Sequence, residues 1–277
     1  MARIQGWGGN VFVGSQVVEN CDDAWNEFVD ADVTLTLDET DYKVGTGSNK
    51  MVQAAGLAVG DILASEVVVL PTLASFTVGY GWFKSSVAIT TADDYRVLID
   101  NDALCATPEV QLSVPILVAN EWKFCILVVA AGSFAAATLP ISVGLELNAN
   151  DPGAATMFVD ELSVAKEVVG IREWSLDAAA GVQDSSAFSD GQNKVFTVTT
   201  KEWSGSFNGF KDGPPLQIGT VVALELMETE TVLPIVPTAS WRGSAIITNL
   251  SPASSVDGLV TYNYSFQGIH GLEWPTT

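Results

Sequence analysis

Few residues in this sequence have the types and spacing that catalysis requires. The single histidine, His270, lies in the glycine-rich stretch GIHG, so neither a Ser-His-Asp triad nor a histidine-based metal centre is expected. Paired acids occur at Asp22–Asp23 and Asp93–Asp94. Adjacent carboxylates on a strand point to opposite faces, whereas a glycosidase needs two acids across a cleft. The sequence also has no glycine-rich phosphate-binding motif. We therefore expect a protein that is not an enzyme.

Charge argues against a nucleic-acid-binding protein. The chain has 12 Lys and Arg against 33 Asp and Glu, a net charge of −21. Proteins that hold nucleic acid neutralise phosphates with Lys and Arg, which are scarce here. A surface of this sign repels DNA, although the same charge also suits a merely soluble surface.

Cysteine count and hydropathy point to the cytosol. The three cysteines, Cys21, Cys105 and Cys125, are odd in number and form no CxxC motif, which argues against a disulfide framework or a zinc site. The stretch closest to a membrane span, Leu112–Val129, is interrupted by proline and charged residues. No secretory signal pattern opens the sequence. We expect no membrane segment and assembly in a reducing cytosol.

The elements that must position any functional residue are almost all short strands. Such strands, bounded by Gly, Asp, Asn or Pro, predict an all-β sandwich or barrel. Short helices are predicted only at Asp61–Ser65 and Ser185–Asp190. The predicted strands are Asp32–Leu37, Glu66–Leu70, Phe76–Lys84, Tyr95–Ile99, Trp122–Val129, Ile141–Leu147, Met157–Val164, Lys194–Thr199, Trp203–Phe207, Val221–Met227, Gly243–Asn249 and Leu259–Phe266.

The last of these strands alternates strictly between two kinds of side chain. One face is apolar or aromatic, with Val260, Tyr262, Tyr264 and Phe266, and the other carries Thr261, Asn263 and Ser265. The stretch Ser251–Gly258 before it is rich in turn-forming residues, so a hairpin is predicted. This hairpin has one aromatic face and one uncharged polar face.

The residue pattern of the predicted strands changes near Val168–Gly170. Beyond that point strands begin with Trp followed by Ser or Gly, as in EWSLD and EWSGSFNGF. We predict an N-terminal arm at 1–18, one β-domain at 19–168 and a second at 169–277.

Four segments of the first domain resemble carbohydrate-binding-module-like jelly rolls. They are DETDYKVGTGSNKMV, YGWFKSS, LVANEWKFCILVV and MFVDELSVAK, and they occur in the family's order between residues 19 and 166. The resemblance implies a two-sheet jelly roll. It also implies a structural calcium ion held by Glu19 and Asp160, for which carboxylate oxygens are suitable ligands. The alternative is that both are ordinary edge acids.

Glycan binding would require an exposed aromatic ring in that domain. Trp25 is the candidate contact, because Trp82 and Trp122 lie inside apolar strands where core packing is expected. A host-surface glycan is the partner that the resemblance implies.

The second domain resembles tail-tube-type structural proteins of tailed bacteriophages. The matching segments are Asp184–Phe188, Trp203–Phe207, Gly243–Ile247 and Asp257–Leu272, in the family's order. The last departs from the family at His270, where a glycine-rich end is commoner. The resemblance implies subunits that pair edge to edge into rings around a channel, through which double-stranded DNA passes without specific binding.

Site residues follow from this resemblance. Thr261, Asn263 and Ser265 would face the channel or a neighbouring subunit, or, alternatively, form an ordinary solvated face. The loop Met227–Val232, with Glu228 and Glu230, would reach an adjacent ring or be a solvated hairpin tip. Trp7 and Phe12 of the arm would dock onto a neighbouring subunit.

The sequence thus predicts a virion structural protein of a tailed phage, most simply a self-assembling tail tube protein with an outward-facing jelly roll. It would contact copies of itself and other virion proteins and be assembled in the host cytoplasm. The alternatives are a capsid decoration or cement protein and a carbohydrate-binding adhesin module.

Overall fold

A computed structural model describes residues 9–26, 31–168, 171–185, 194–210, 215–227, 240–254, 260–269 and 271–274. These residues form an all-β protein, as predicted, with one 3-10 turn at Ala103–Cys105. Nowhere in the described chain is there a helix with the length and apolar character needed to cross a bilayer.

Fifteen strands are found among the described residues. In chain order they are β1 Gly9–Glu19, β2 Val33–Asp38, β3 Ser48–Gln53, β4 Ile62–Val67, β5 Val78–Ser85, β6 Tyr95–Asp100, β7 Val110–Ser113, β8 Lys123–Gly132, β9 Ser142–Leu147, β10 Ala155–Val168, β11 Ile171–Asp184, β12 Phe196–Phe210, β13 Val221–Met227, β14 Ser240–Ser254 and β15 Val260–Gly268.

The chain divides into two compact units. Residues 12–167 form the N-terminal unit, and residues 168–277 together with 1–11 form the C-terminal unit. One division falls inside β1, so the separate arm predicted at 1–18 is wrong: residues 9–18 belong to a strand. The sequence misled because Gly9 and Gly14 weaken the strand pattern.

The N-terminal unit is a β-sandwich. One sheet contains β10, β5 and β8, with β3 and β2 beyond β10, and the other runs β8-β7-β6-β9-β4. Side chains from both sheets fill the space between them, including Phe83 and Val159 from the first sheet and Val97 and Leu145 from the second. Cys125 lies in this core, and all three cysteines are buried and form no disulfide.

A second aromatic layer covers the outer face of the first sheet. Trp82 and Phe124 meet edge to face, and Trp122 contacts Phe158. Amino groups of lysines lie over these rings, at 5.5 Å for Lys43 on Trp82. Cation–π contacts and apolar lysine stems therefore cover rings that the sandwich core cannot reach. Trp82 is buried as expected, with only 3% of its surface exposed, but it lies in this outer aromatic layer and not in the sandwich core.

The C-terminal unit is built on one antiparallel sheet ordered β11-β12-β15-β14-β13. Its aromatic face carries Trp203, Phe207, Tyr264 and Phe266, whose rings contact one another. The segment before β13 contacts this face, where the backbone N–H of Leu216 donates a hydrogen bond to Tyr264 Oη.

A buried ion pair joins β13 to β14. Arg242 Nε and Nη2 donate to Glu225 Oε1 at 2.9 and 2.8 Å, and both side chains are almost completely enclosed. Glu273 exchanges backbone hydrogen bonds with Arg242 and places its carboxylate 3.8 Å from Nη1. Desolvating these charges costs free energy, so losing either partner would leave an uncompensated buried charge.

Neither predicted helix is found where the structure can be compared. Asp61–Ser65 overlaps β4, because pairing with β9 buries Leu63 and Ala64 in the sandwich. Tertiary pairing outweighs local propensity here. Of Ser185–Asp190 only Ser185 is described, and its N–H donates to Val195 O across a strand pair; the remainder lies outside the described residues.

Two glycine positions offer a matched test of the aromatic packing. A Cβ on Gly268 would lie 2.1 Å from Trp203 Cε2, whereas a Cβ on Gly271 would meet nothing within 4 Å. We expect Gly268→Ala to lower the free energy of unfolding by about 1–3 kcal/mol through overpacking, and Gly271→Ala to change it little. Urea unfolding followed by tryptophan fluorescence measures both, and equal effects would contradict the packing.

Candidate functional site

The most extended polar surface of the C-terminal unit is one face of its sheet. Residues directly opposite each other on paired strands share a face. The ladders place Ser175, Ser206, Ser265 and Asn249 in one row across β11, β12, β15 and β14. A second row contains Glu173, Asn208, Asn263 and Ser251. We call the polar face the set Glu173, Ser175, Asp177, Ser204, Ser206, Asn208, Asn249, Ser251, Thr261, Asn263 and Ser265. The same register also places Gln267 and the apolar Ile246 and Ala253 on this side.

Side chains of the polar face form a network across the strands. Ser175 Oγ and Ser206 Oγ are 2.8 Å apart, and Asn208 Nδ2 donates to Glu173 Oε2 at 3.0 Å. Asn263 Nδ2 donates to the carbonyl of Ser251 at 3.4 Å. These exposed or half-buried groups still have donors and acceptors facing solvent. The face is therefore wet, partly preorganised and hydrogen-bonding.

The charge of the polar face is distinctive. Its only ionisable members are Glu173 and Asp177, and it includes no lysine or arginine. Such a surface offers phosphate groups no cation to pair with, and its acids repel them. It is therefore suited to lie beside a polyanion without holding it.

The structure brings Thr261, Asn263 and Ser265 together as predicted. They share one face of β15, opposite the buried Tyr264 and Phe266. The alternation in the sequence revealed this part of the face. The contributions of β11 and β14 were missed, since their register becomes visible only through pairing.

In the N-terminal unit, strand β10 contains a bulge with a strained acid. The register with β5 shifts between Asp160 and Ser163, and Glu161 adopts a positive φ of 50°. Gly81 lies opposite, where a Cβ would come 3.0 Å from the Glu161 carbonyl oxygen. A left-handed conformation is costly for a residue with a long side chain.

The bulge buries the carboxyl groups of Asp160 and Glu161 away from solvent. Asp160 Oδ2 accepts hydrogen bonds from the N–H groups of Lys43 and Val44, while its Oδ1 has no hydrogen-bond partner. Burial raises the pKa of Asp160 to about 6 and, with the nearby Asp160 charge, that of Glu161 to about 7. Glu161 Oε2 and Ser163 Oγ are also buried without a partner.

The calcium ligands suggested by the sequence lie in a shared acidic region. Glu19 Oε1 accepts the Cys21 N–H at 3.0 Å, and the Glu19 and Asp160 charges both act on the buried Cys21 thiol. Burial raises the pKa of Glu19, with Asp23 and Glu66 adding to the effect. The unpartnered Asp160 Oδ1 is a suitable calcium ligand. Among the described residues, however, no three His, Cys, Asp or Glu side chains form a metal-binding group.

Other predicted contacts differ from the structure or lie outside it. Trp25 is 3% exposed and belongs to the hydrophobic core, and its backbone N–H donates to Asn49 Oδ1, so the prediction that its ring contacts a glycan is wrong. Phe12 is 5% exposed within its own chain and is not free to dock elsewhere, which corrects that prediction. Trp7, Glu228 and Glu230 lie outside the described residues.

Comparison of the sequence with protein-family models and with curated proteins finds no match.

The raised pKa values predict how stability responds to pH. Asp160 and Glu161 bind protons more tightly when folded than unfolded, so their contribution is fully present below about pH 4 and is lost as pH rises through 6 to 7. In EDTA, the free energy of unfolding should therefore fall between pH 5 and pH 8, and Glu161→Gln should flatten that fall. Urea unfolding across this range measures it, and an unchanged slope in the variant would contradict the assignment.

Calcium gives a separate expectation for the same unit. If Glu19 and Asp160 hold the ion, calcium should stabilise the wild type by about 2.7 kcal/mol at a hundredfold excess over its dissociation constant. Asp160→Asn should abolish this gain, whereas Glu121→Gln, at an exposed loop acid, should keep it. The melting temperature measured in calcium and in EDTA tests this expectation. An equal melting temperature of the wild type in both would contradict a calcium ion at this site.

Proposed function

We propose that this chain is a self-assembling virion structural protein of a tailed phage, a tube subunit whose polar face lines a channel for DNA. The observation that carries the proposal is the polar face, a set of hydroxyl, amide and carboxylate side chains on one side of four strands that includes no lysine or arginine. The sequence resemblance to tail-tube proteins supports the same reading.

The wall of a DNA channel must be hydrated and must not bind DNA. Phosphate contacts dominate the affinity of proteins for DNA, and each added lysine or arginine strengthens them. The polar face has hydrogen-bonding groups that retain water, and acids at Glu173 and Asp177 that repel phosphate. Arranged around a lumen, it would let DNA slide without binding.

Strand β11 provides a surface for edge-to-edge assembly. It ends the described strand order of the C-terminal unit, with β12 as its partner there. An edge strand presents unpaired N–H and C=O groups that another chain can complete. Running from Ile171 to Asp184 without proline, it is long for an exposed edge. A second copy would extend the sheet and continue the polar face around a ring.

Within this proposal the N-terminal sandwich is an outward-facing decoration. The burial of Trp25 weakens the case for an adhesin that binds glycans through that ring. A capsid cement protein would use the same faces in a different lattice, and the assembled form distinguishes it from a tube.

The direct test is the assembled form of the purified protein. Analytical ultracentrifugation with negative-stain electron microscopy should show stacked rings or tubes with a central channel. Closed small oligomers that bind a capsid lattice would favour cement. A strictly monomeric chain at high concentration would contradict self-assembly.

Lysines placed on the polar face should give the channel wall an affinity for DNA. We expect assemblies of the Asn263→Lys, Ser265→Lys double variant to retain short duplex DNA at low salt and release it as salt rises. Wild-type assemblies should retain none, nor should a Thr36→Lys variant, altered at an exposed position of the other unit. Gel filtration with labelled DNA measures retention. Equal retention by wild type and double variant would contradict the channel role.

A further inference from the structure

The far ends of β11 and β12 form a two-stranded ribbon whose side chains are exposed. We define the ribbon as residues 178–184 and 196–202, paired from Ala179↔Glu202 to Asp184↔Phe196. Every ribbon residue is exposed except Gly181, which is half-buried. Exposure ends abruptly at Trp203, which is 5% exposed. The strands therefore run beyond the packed part of the sheet.

The two sides of the ribbon differ in chemistry. Val182 and Val198 are directly opposite each other, and Phe196 shares their side; these side chains are 63%, 54% and 57% exposed. The other side is polar: Gln183 pairs with Thr197, whose hydroxyl donates to Ser185 Oγ at 2.9 Å. One side thus carries three exposed apolar side chains together with Asp184, which lies opposite Phe196, and the other side carries hydroxyl and amide groups.

An isolated ribbon of this kind is unfavourable in water. Two-stranded hairpins are marginal on their own and gain stability when a hydrophobic side is covered. Three large apolar side chains on one side of two strands form a patch of the type that marks a protein interface. At about 3.3 Å per residue, each seven-residue strand of the ribbon is roughly 23 Å long.

Charge indicates which partner the apolar side receives. The ribbon carries Lys201 and Glu202 together with Asp184, which pairs with the adjacent Lys194 at 3.5 Å, so it is locally neutral. The whole chain has a net charge of −21. Two copies repel each other over most of their surfaces, and the ribbon is a segment that approaches an acidic copy without that penalty.

We propose that the apolar side of the ribbon packs against a second copy of this chain. The proposal rests on the self-assembly put forward above, and it names Val182, Phe196 and Val198 as the contact. Other virion proteins and glycans are the occupants that the test must separate from it.

Single aspartates on the two sides of the ribbon provide matched variants. Phe196→Asp and Val198→Asp place a charge on the apolar side, and Thr197→Asp places the same charge on the polar side of the same strand. All three positions are exposed, so the monomers should keep the wild-type circular dichroism spectrum and melting temperature. We expect the first two variants to raise the concentration needed for assembly at least tenfold, and Thr197→Asp to change it less than threefold.

A photocrosslinker at position 198 identifies the occupant. Benzoylphenylalanine in place of Val198 should give covalent dimers of the chain, and the same probe at position 197 should give few. If the wild type assembles and both apolar-side variants assemble equally well, the ribbon contact is wrong while the tube function stands. If the wild type stays monomeric and gives no dimer crosslink, self-assembly itself fails and the ribbon contact fails with it.

Discussion

The separation of an aromatic face from a polar face on one sheet is the constraint on which the C-terminal unit depends. Strand alternation permits one set of side chains inward, and Trp203, Phe207 and Phe266 occupy it in mutual contact. A shift of one residue in register would expose these rings and bury hydroxyls and amides. The aromatic packing therefore fixes the register of the strands, and with it which residues lie on the opposite face. The property on which the proposed function rests is a consequence of the core.

The N-terminal unit is governed by a different balance. Its sandwich core is apolar and continuous, yet the β10 bulge holds Asp160 and Glu161 where charge is poorly solvated. Such sites reduce stability near neutral pH unless a proton or cation compensates them. The unit tolerates this cost because the surrounding strands determine the backbone of Glu161 through pairing on both sides of the bulge.

Local patterns in the sequence reveal single strands but not their partners. The alternation of Leu259–Phe266 correctly gave the two faces of β15, and the all-β class followed from strand spacing. The rest of the polar face required the register of β11, β12 and β14, which pairing alone determines. Trp25 looked available for a ligand, but burial is decided by tertiary packing. The ribbon was missed because its apolar residues resemble those of any strand, and only the absence of a covering layer among the described residues distinguishes it.

The central claim is that the polar face surrounds a channel. A cryo-electron microscopy reconstruction of assembled protein, at a resolution that separates β-strands, tests it most directly. The account predicts rings in which β11, β12, β15 and β14 turn Ser206, Asn208 and Asn263 toward a central lumen. Assemblies with that face on the outside, or without a lumen, would contradict it.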